Sequence, residues 1–290
     1  MNLEQVLTLL IILFKRSFFK IIFLFLNIKE LKIMTTILIS DLTHFLNLSE
    51  TIIKYNSFEQ MSCYIKHVPK LNTIRFSIYS YGVIYDITPY IILSNRIKKD
   101  TKEDDSNDVK KPSLIVPEFS FNFTKFYFIV LTISKSSKYV KIKLDYNNLK
   151  LSLFGENSDV NSYSIDELSL KIDTNFLTTF VDDLYFPNKF SIDRQLVCKE
   201  ILTRNNSYTI NLIITPHKCL IEDLAFNYDG DLIHDDLRVF LKKISIIDIE
   251  PIMLLKFHGY YKIFTNLDID YIKIKVEFVD FYCEVYIPFM

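Results

Sequence analysis

Glycine is nearly missing: there are four in 290 residues, and tryptophan is absent altogether. Loops that cradle phosphates need several glycines at set spacings, and neither GxGxxG nor GxxxxGK[ST] occurs. This argues against the common nucleotide-dependent enzyme classes. The four cysteines, Cys63, Cys198, Cys219 and Cys283, are far apart and form no CxxC pair. They read as reduced thiols of an intracellular protein rather than a disulfide framework. Charge of one sign is also lacking, with a formal net charge of −1, so any surface for a polyanion has to be local. What is present is apolar: 49% hydrophobic and 15% aromatic residues against 24% charged, the balance of a globular chain. The length suits one large domain or two of ordinary size. Abundant Ile, Phe and Tyr favour strands, because β-branched and aromatic side chains fit a half-buried pleated surface.

Residues 1–33 stand apart. Val6–Phe14 is too short an apolar run to span a bilayer, and Lys15, Arg16 and Lys20 interrupt the longer one. A secretory signal carries positive charge ahead of its apolar run, whereas Glu4 is the only early charge here. Three readings stay open: an interfacial helix, a poor anchor, or sequence upstream of a start at Met34.

From Met34 the pattern is mostly β. Thr35–Ser40 reads as a strand and Asp41–Asn56 as a helix capped by Asp41, with Leu42, Phe45, Leu46 and Ile53 on its apolar face. Ser62–Val68, Thr73–Tyr79 and Val83–Leu93 read as strands, broken at Pro69-Lys70 and Gly82. Asn95–Pro112 is polar and aperiodic, a loop. Ser113–Asn122 resumes as a strand, and Thr124–Ser137 is strand-like by composition. Tyr139–Leu144 and Leu149–Phe154 form a hairpin around Asn147-Asn148. Ser162–Ile172 is a strand and Asn188–Asn205 a helix with several basic side chains. Ser207–Thr215 and Leu220–Phe226 pair as a second hairpin. A helix then starts at Asp235 or Asp236 and sets Leu237, Phe240, Leu241 and Ile244 on one face. Four β-rich runs end the chain: Pro251–Phe257, Tyr260–Thr265, Tyr271–Val279 and Phe281–Pro288. The order of elements in the first part recurs in the second, which implies two similar units, 34–175 and 176–290.

Residues with catalytic or metal-binding chemistry do not converge in the sequence. His217 and Cys219 sit at i, i+2, and Asp235-Asp236 reads better as a cap than as ligands. Asn227-x-Asp229-Gly230-Asp231 lacks the distal Glu of a calcium loop. Asp104-Asp105, Asp182-Asp183 and the thiol of Cys198 have no positioned base nearby in sequence. The expectation is a non-enzyme with no cofactor and no metal.

Several short motifs stand out: His44-Phe45 in the first helix, Tyr139–Leu144 (YVKIKL), Ile165–Ile172 (IDELSLKI), Leu184–Pro187 (LYFP) ahead of a helix, Asp236-Leu237-Arg238 opening the last helix, and Val285–Pro288 (VYIP) in the final strand. Together they resemble the sliding clamps, and most closely the Hus-type subunit of the heterotrimeric DNA-damage checkpoint clamp. The resemblance implies an α+β clamp fold, with curved antiparallel sheets outside and four helices lining a concave face. It implies a nuclear, non-catalytic subunit that joins two other clamp subunits in a ring around double-stranded DNA, is loaded by a clamp loader, and takes no small-molecule substrate. Phosphate contacts by Lys and Arg would then be independent of base sequence. The implied DNA-facing residues are Lys125, Lys135 and Lys138, then Lys189, Arg194, Lys199 and Arg204, then Arg238, Lys242 and Lys243. Tyr139–Leu144 and the terminal strands are the expected ring-closing edges. A homotrimeric processivity clamp and a membrane-associated β-rich protein anchored by residues 1–33 are the alternatives.

Overall fold

The computed structural model describes residues 32–55, 61–68, 73–90, 92–98, 119–145, 150–155, 171–172, 184–196, 208–229, 239–253, 255, 259–266 and 268–290. The first half of the chain contributes β1 (Lys32–Ile39), α1 (Leu42–Tyr55), β2 (Ser62–Val68), β3 (Thr73–Ser80), β4 (Val83–Pro89), β5 (Ile92–Lys98), β6 (Phe119–Asn122), α2 (Phe123–Ser134), β7 (Val140–Asp145), β8 (Lys150–Phe154) and β9 (Lys171–Ile172). The second half contributes β10 (Asn188–Asp193), the single turn α3 (Arg194–Leu196), β11 (Thr209–Ile214), β12 (Lys218–Ile221), β13 (Leu224–Asn227), β14 (Phe240–Ser245), α4 (Ile246–Met253), β15 (Tyr260–Thr265), β16 (Tyr271–Glu277) and β17 (Phe281–Pro288).

The strands form three antiparallel sheets. Two have four strands, ordered β5-β1-β7-β8 and β13-β12-β11-β14; the third has nine, ordered β10-β15-β16-β17-β4-β3-β2-β6-β9. The nine-stranded sheet is continuous because β17 pairs with β4, from Phe281↔Pro89 to Tyr286↔Ile84. Register and side-chain alternation give this sheet two unlike faces. On one face Phe190, Tyr261, Ile263, Ile274, Val276, Cys283, Val285, Ile87, Phe76, Ile78 and Cys63 are all buried. The other face carries Lys262, Lys275, Glu284, Asp86 and Ser77 across successive strands.

The helices cover the apolar face. In α1, Leu42, Phe45, Leu48, Ile52 and Ile53 are buried on one stripe. Phe45 meets Phe281 of β17 edge-on (5.6 Å between centroids) and Phe126 of α2 at 6.1 Å. The start of α1 is held from the far end of the sequence. The buried Asp280 carboxylate accepts from the backbone N–H and hydroxyl of Ser40, and from Asp41 N–H at 2.9 Å. The Asp41 carboxylate in turn receives His44 N–H at 3.4 Å, the expected cap.

Thr124–Ser137 is helical, not a strand, for most of its length. Asn122 caps α2 by accepting Lys125 N–H at 2.8 Å, and Phe123, Phe126, Tyr127, Val130 and Ile133 are buried at helical spacing. The apolar composition hid a clear 3.6-residue period.

Two segments expected as basic helices are strands over part of their length. Asn188–Asp193 is β10, paired with β15, and alternates buried Asn188, Phe190 and Ile192 with outward Lys189, Ser191 and Asp193. Only Arg194–Leu196 is helical in the described part of Asn188–Asn205. The expected helix through Leu237–Ile244 is β14 from Phe240, paired with β11 from Ile214↔Phe240 to Thr209↔Ser245. Phe240 and Ile244 fit both a helical and an alternating pattern; a partner strand decided for the latter. Conversely, Pro251 begins no strand but lies inside α4. Its missing N–H costs the helix one hydrogen bond, and α4 ends two residues later. The hydroxyl of Tyr261 donates to Ile252 O at 3.1 Å and satisfies one of the carbonyls left at that end.

Smaller corrections concern strand limits. The run 83–93 breaks at Tyr90 into β4 and β5, and Asn95–Lys98 belongs to β5 rather than to a loop; the remaining loop residues, 99–112, lie outside the described residues. Leu220–Phe226 breaks at Glu222, whose φ of 51° makes a turn between β12 and β13. Neither expected ring edge is an edge: β7 lies between β1 and β8, and β17 lies between β16 and β4. The turn at Asn147-Asn148, the stretch Ser162–Leu170 and residues 1–31 fall outside the described residues. Among the described residues no helix is long and apolar enough to cross a membrane.

Candidate nucleic-acid interface

Three helices lie side by side on the apolar face, with α1 in the middle. Phe45 packs it against α2, and its other side contacts α4, where Glu250 lies near Tyr55. Partial burial first, and the Glu250 carboxylate second, hold that phenol above its ordinary pKa. The outward sides of these helices form one polar surface, but its charge is uneven.

On α2, Lys125, Phe128, Thr132 and Lys135 are exposed and fall within one arc of the helix. Lys138 is exposed in the turn that follows. No carboxylate occurs in α2. On α1, Lys54 is tied to Glu50 at 2.6 Å, so the pair contributes little net field. On α4 the charges are Asp248 and Glu250, beside Ile247 at 62% exposure, and there is no Lys or Arg. Burial raises the Asp248 carboxyl above its ordinary pKa.

Of the ten implied DNA-facing residues, the fold therefore groups Lys125, Lys135 and Lys138 at α2. Lys189 is excluded from that surface: it projects from β10 on the opposite side of the sheet and pairs with Asp229 at 3.6 Å. Lys242 and Lys243 are on β14 rather than a helix. Lys242 reaches Asp270 at 2.7 Å and lies over the Phe289 ring, while Lys243 points away from the core. Arg194 opens α3, and Lys199, Arg204 and Arg238 lie outside the described residues. Phe128 went unnoticed in the sequence; its signal was the lysine one turn before it and the lysine two turns after.

The reverse face of the nine-stranded sheet has its own cluster. Leu184–Pro187 precedes strand β10, not a helix, and Phe186 packs with Ile84 and Tyr286. Lys273 lies over Phe264 (4.3 Å), Phe186 (5.4 Å) and Tyr286 (6.0 Å) and pairs with Glu284 at 3.4 Å. Lys262 and Lys275 oppose each other across strands and share Glu277, at 2.8 and 2.9 Å.

His217 and Cys219, near neighbours in sequence, are separated by the fold. His217 sits in the β11–β12 turn, whereas Cys219 is buried in the core, where burial pushes its thiol up to about 12. Cys63 and Cys283 are likewise held as thiols by burial. Among the described residues, no three His, Cys, Asp or Glu side chains gather as metal ligands.

Comparison with solved structures decides the fold. PCNA from Thermococcus kodakaraensis superposes with a TM-score of 0.53 at 15% identity, covering 88% of this chain and 100% of that one. This chain has the sliding-clamp fold. The DNA polymerase sliding clamp from Bacillus subtilis gives a TM-score of 0.51 at 10% identity over 89% of this chain, which spans 65% of the bacterial clamp. No protein-family model and no curated protein matches the sequence. Within the clamp fold, α1, α2 and α4 occupy one face, and the β17–β4 pairing joins the first and last parts of the chain.

Proposed function

We propose that this chain is a non-catalytic subunit of a ring-shaped clamp, and that it joins two other, different clamp subunits around double-stranded DNA in damage checkpoint signalling and repair. The observation that carries the reading is the sliding-clamp fold over 88% of the chain, with a basic α2 face on the helical side. The checkpoint assignment is supported by the short motifs in the sequence, of which Val285–Pro288 lies in β17 at the junction of the two halves. Residues 34–175 and 176–290 act as the two clamp domains. Lys125, Lys135 and Lys138 attract phosphate without reading bases. A clamp loader opens the ring, and the complex works in the nucleus.

Ring closure uses strands at the margins of the four-stranded sheets. Of these, β13 is the margin of its sheet, and Leu224 and Phe226 on its core side are only partly covered. On β8, at the margin of the other sheet, Leu151 and Leu153 are already fully buried. A ring of identical chains would need these two margins to be complementary to each other, whereas a ring of different subunits leaves each margin to its own partner. The second reading, a polymerase processivity clamp made of copies of this chain, is favoured by the likeness to the Bacillus subtilis polymerase clamp. Mass measurement by light scattering on the purified full chain separates them. A monomer that assembles only with two other proteins supports the checkpoint subunit; a trimer of this chain alone overturns it.

A further inference from the structure

We propose that the exposed face of α2 is a stacking platform for an unpaired DNA base, so that a ring around double-stranded DNA gains an added hold wherever a strand beside that duplex is unpaired. The inference rests on the reading that the helical side faces DNA, and it adds an unpaired base to the duplex that side takes. Scattered exposed apolar side chains are ordinary on protein surfaces. Phe128 differs in its setting. Its ring is 50% exposed, Lys125 lies one turn before it, Thr132 one turn after and Lys135 two turns after. All four share one arc, about 15 Å long at the helical rise of about 1.5 Å per residue.

A continuous duplex offers this arc only phosphates, sugars and groove edges. Those reward the lysines but not a phenyl ring, which would lose water without gaining a π partner. An unpaired base offers a π face, and the flanking phosphates of the same strand then lie toward Lys125 and Lys135. The ring is also steadied for this role. Tyr127 meets Phe128 edge-on at 5.3 Å. The nearest carboxylate on the adjoining helix, Glu50, is held by Lys54, which limits repulsion of the strand.

The test is equilibrium binding of the full chain to labelled oligo(dT) and to a duplex of equal length at low salt, with 2-aminopurine in a third oligonucleotide to report stacking. Phe128→Leu keeps bulk but removes the π face. It should weaken oligo(dT) binding by roughly tenfold, leave duplex binding unchanged and abolish the 2-aminopurine response, whereas Phe128→Trp retains all three. Phe128 is exposed, so both variants should melt with the parent, which a thermal scan checks. Oligo(dT) binding unaltered in Phe128→Leu overturns the stacking platform. The doubly reversed Lys125→Glu, Lys135→Glu should weaken both probes. If it weakens them while Phe128→Leu is silent, only the platform falls; if neither probe responds to charge reversal, the DNA reading falls as well.

Discussion

Helices α2 and α4 stand at the same point in the element order of the two halves, each following a strand and preceding the last strands of its half. Their buried sides do the same work, but their exposed sides are opposites. The sequence FTKFYFIVLTIS carries one cation and no anion, while IIDIEPIM carries two anions and no cation. The helical side is therefore not evenly cationic. Attraction for a polyanion is concentrated along α2 and its following turn, and α4 opposes it. The difference is also one of length: α2 has twelve residues and a side-chain cap, whereas α4 has eight and an internal proline.

The comparison can be broken most severely from the buried side. Phe126 is 1% exposed and touches Phe45, Phe76, Phe121 and Phe123, so Phe126→Ala should cost ~3–5 kcal/mol in urea denaturation. Ile252→Ala in α4 should cost ~2–5 kcal/mol, so the two helices count alike as core. A loss under ~1 kcal/mol for either would contradict its placement on the apolar face.

Next in size is the clasp between the chain's two ends. Asp280→Ala leaves two backbone N–H groups at the β1–α1 turn without their acceptor and should cost ~1–3 kcal/mol. Amide hydrogen exchange at Ser40 and Asp41 should accelerate with it. Unchanged protection there would show that the turn is held by something else.

The charge contrast predicts opposite responses to reversal. Lys125→Glu with Lys135→Glu should flatten the dependence of log affinity on log salt by about 2, at roughly 0.9 for each phosphate no longer neutralised. Asp248→Lys with Glu250→Lys should tighten DNA binding. If both pairs shift affinity in the same direction, the helices do not share one DNA-facing surface.

The smallest effect concerns pH. Burial raises the folded-state pKa of Asp248 above its ordinary 3.8, so the folded protein binds this proton more readily than the unfolded chain. Its contribution to stability is most favourable at low pH and declines as pH rises from about 3.8 through the raised value. Glu277 runs the other way. The hydrogen bond from Lys262 lowers its pKa, so its contribution is present above the ordinary 4.5 and is lost as pH falls through the lowered value. Asp248→Asn should stabilise the neutral-pH protein slightly, within about 0.5 kcal/mol, and Glu277→Gln should weaken it by at most ~1 kcal/mol. Melting temperature against pH checks both signs.

Much of this was legible in the residues. The alternation in Tyr139–Leu144 and Leu149–Phe154 is the β7–β8 hairpin, and Asp41 with Leu42, Phe45 and Ile53 is α1. Less legible were the segments whose residues satisfy two periods at once. Phe240 and Ile244 suit a helix or a strand, and only pairing with β11 chose between them. The basic residues followed these segments: Lys189 and Lys242 fall in stretches that read as helices but project from strands, where each finds a carboxylate. Phe128 was hidden differently, as one aromatic residue in an apolar segment, and its exposure follows from which side of α2 meets the sheet.

What the sequence by itself determined is local: strand-rich composition, the β7–β8 pairing, the cap and stripe of α1, and the scarcity of phosphate-binding loops. These depend on propensities and periods that act within a few residues. Tertiary structure decided which strand is an edge, which lysines share a surface, and that β17 returns to pair with β4 from the far end of the chain. Such outcomes depend on long-range pairing, where a side chain's role is set by the partner strand or helix that covers it.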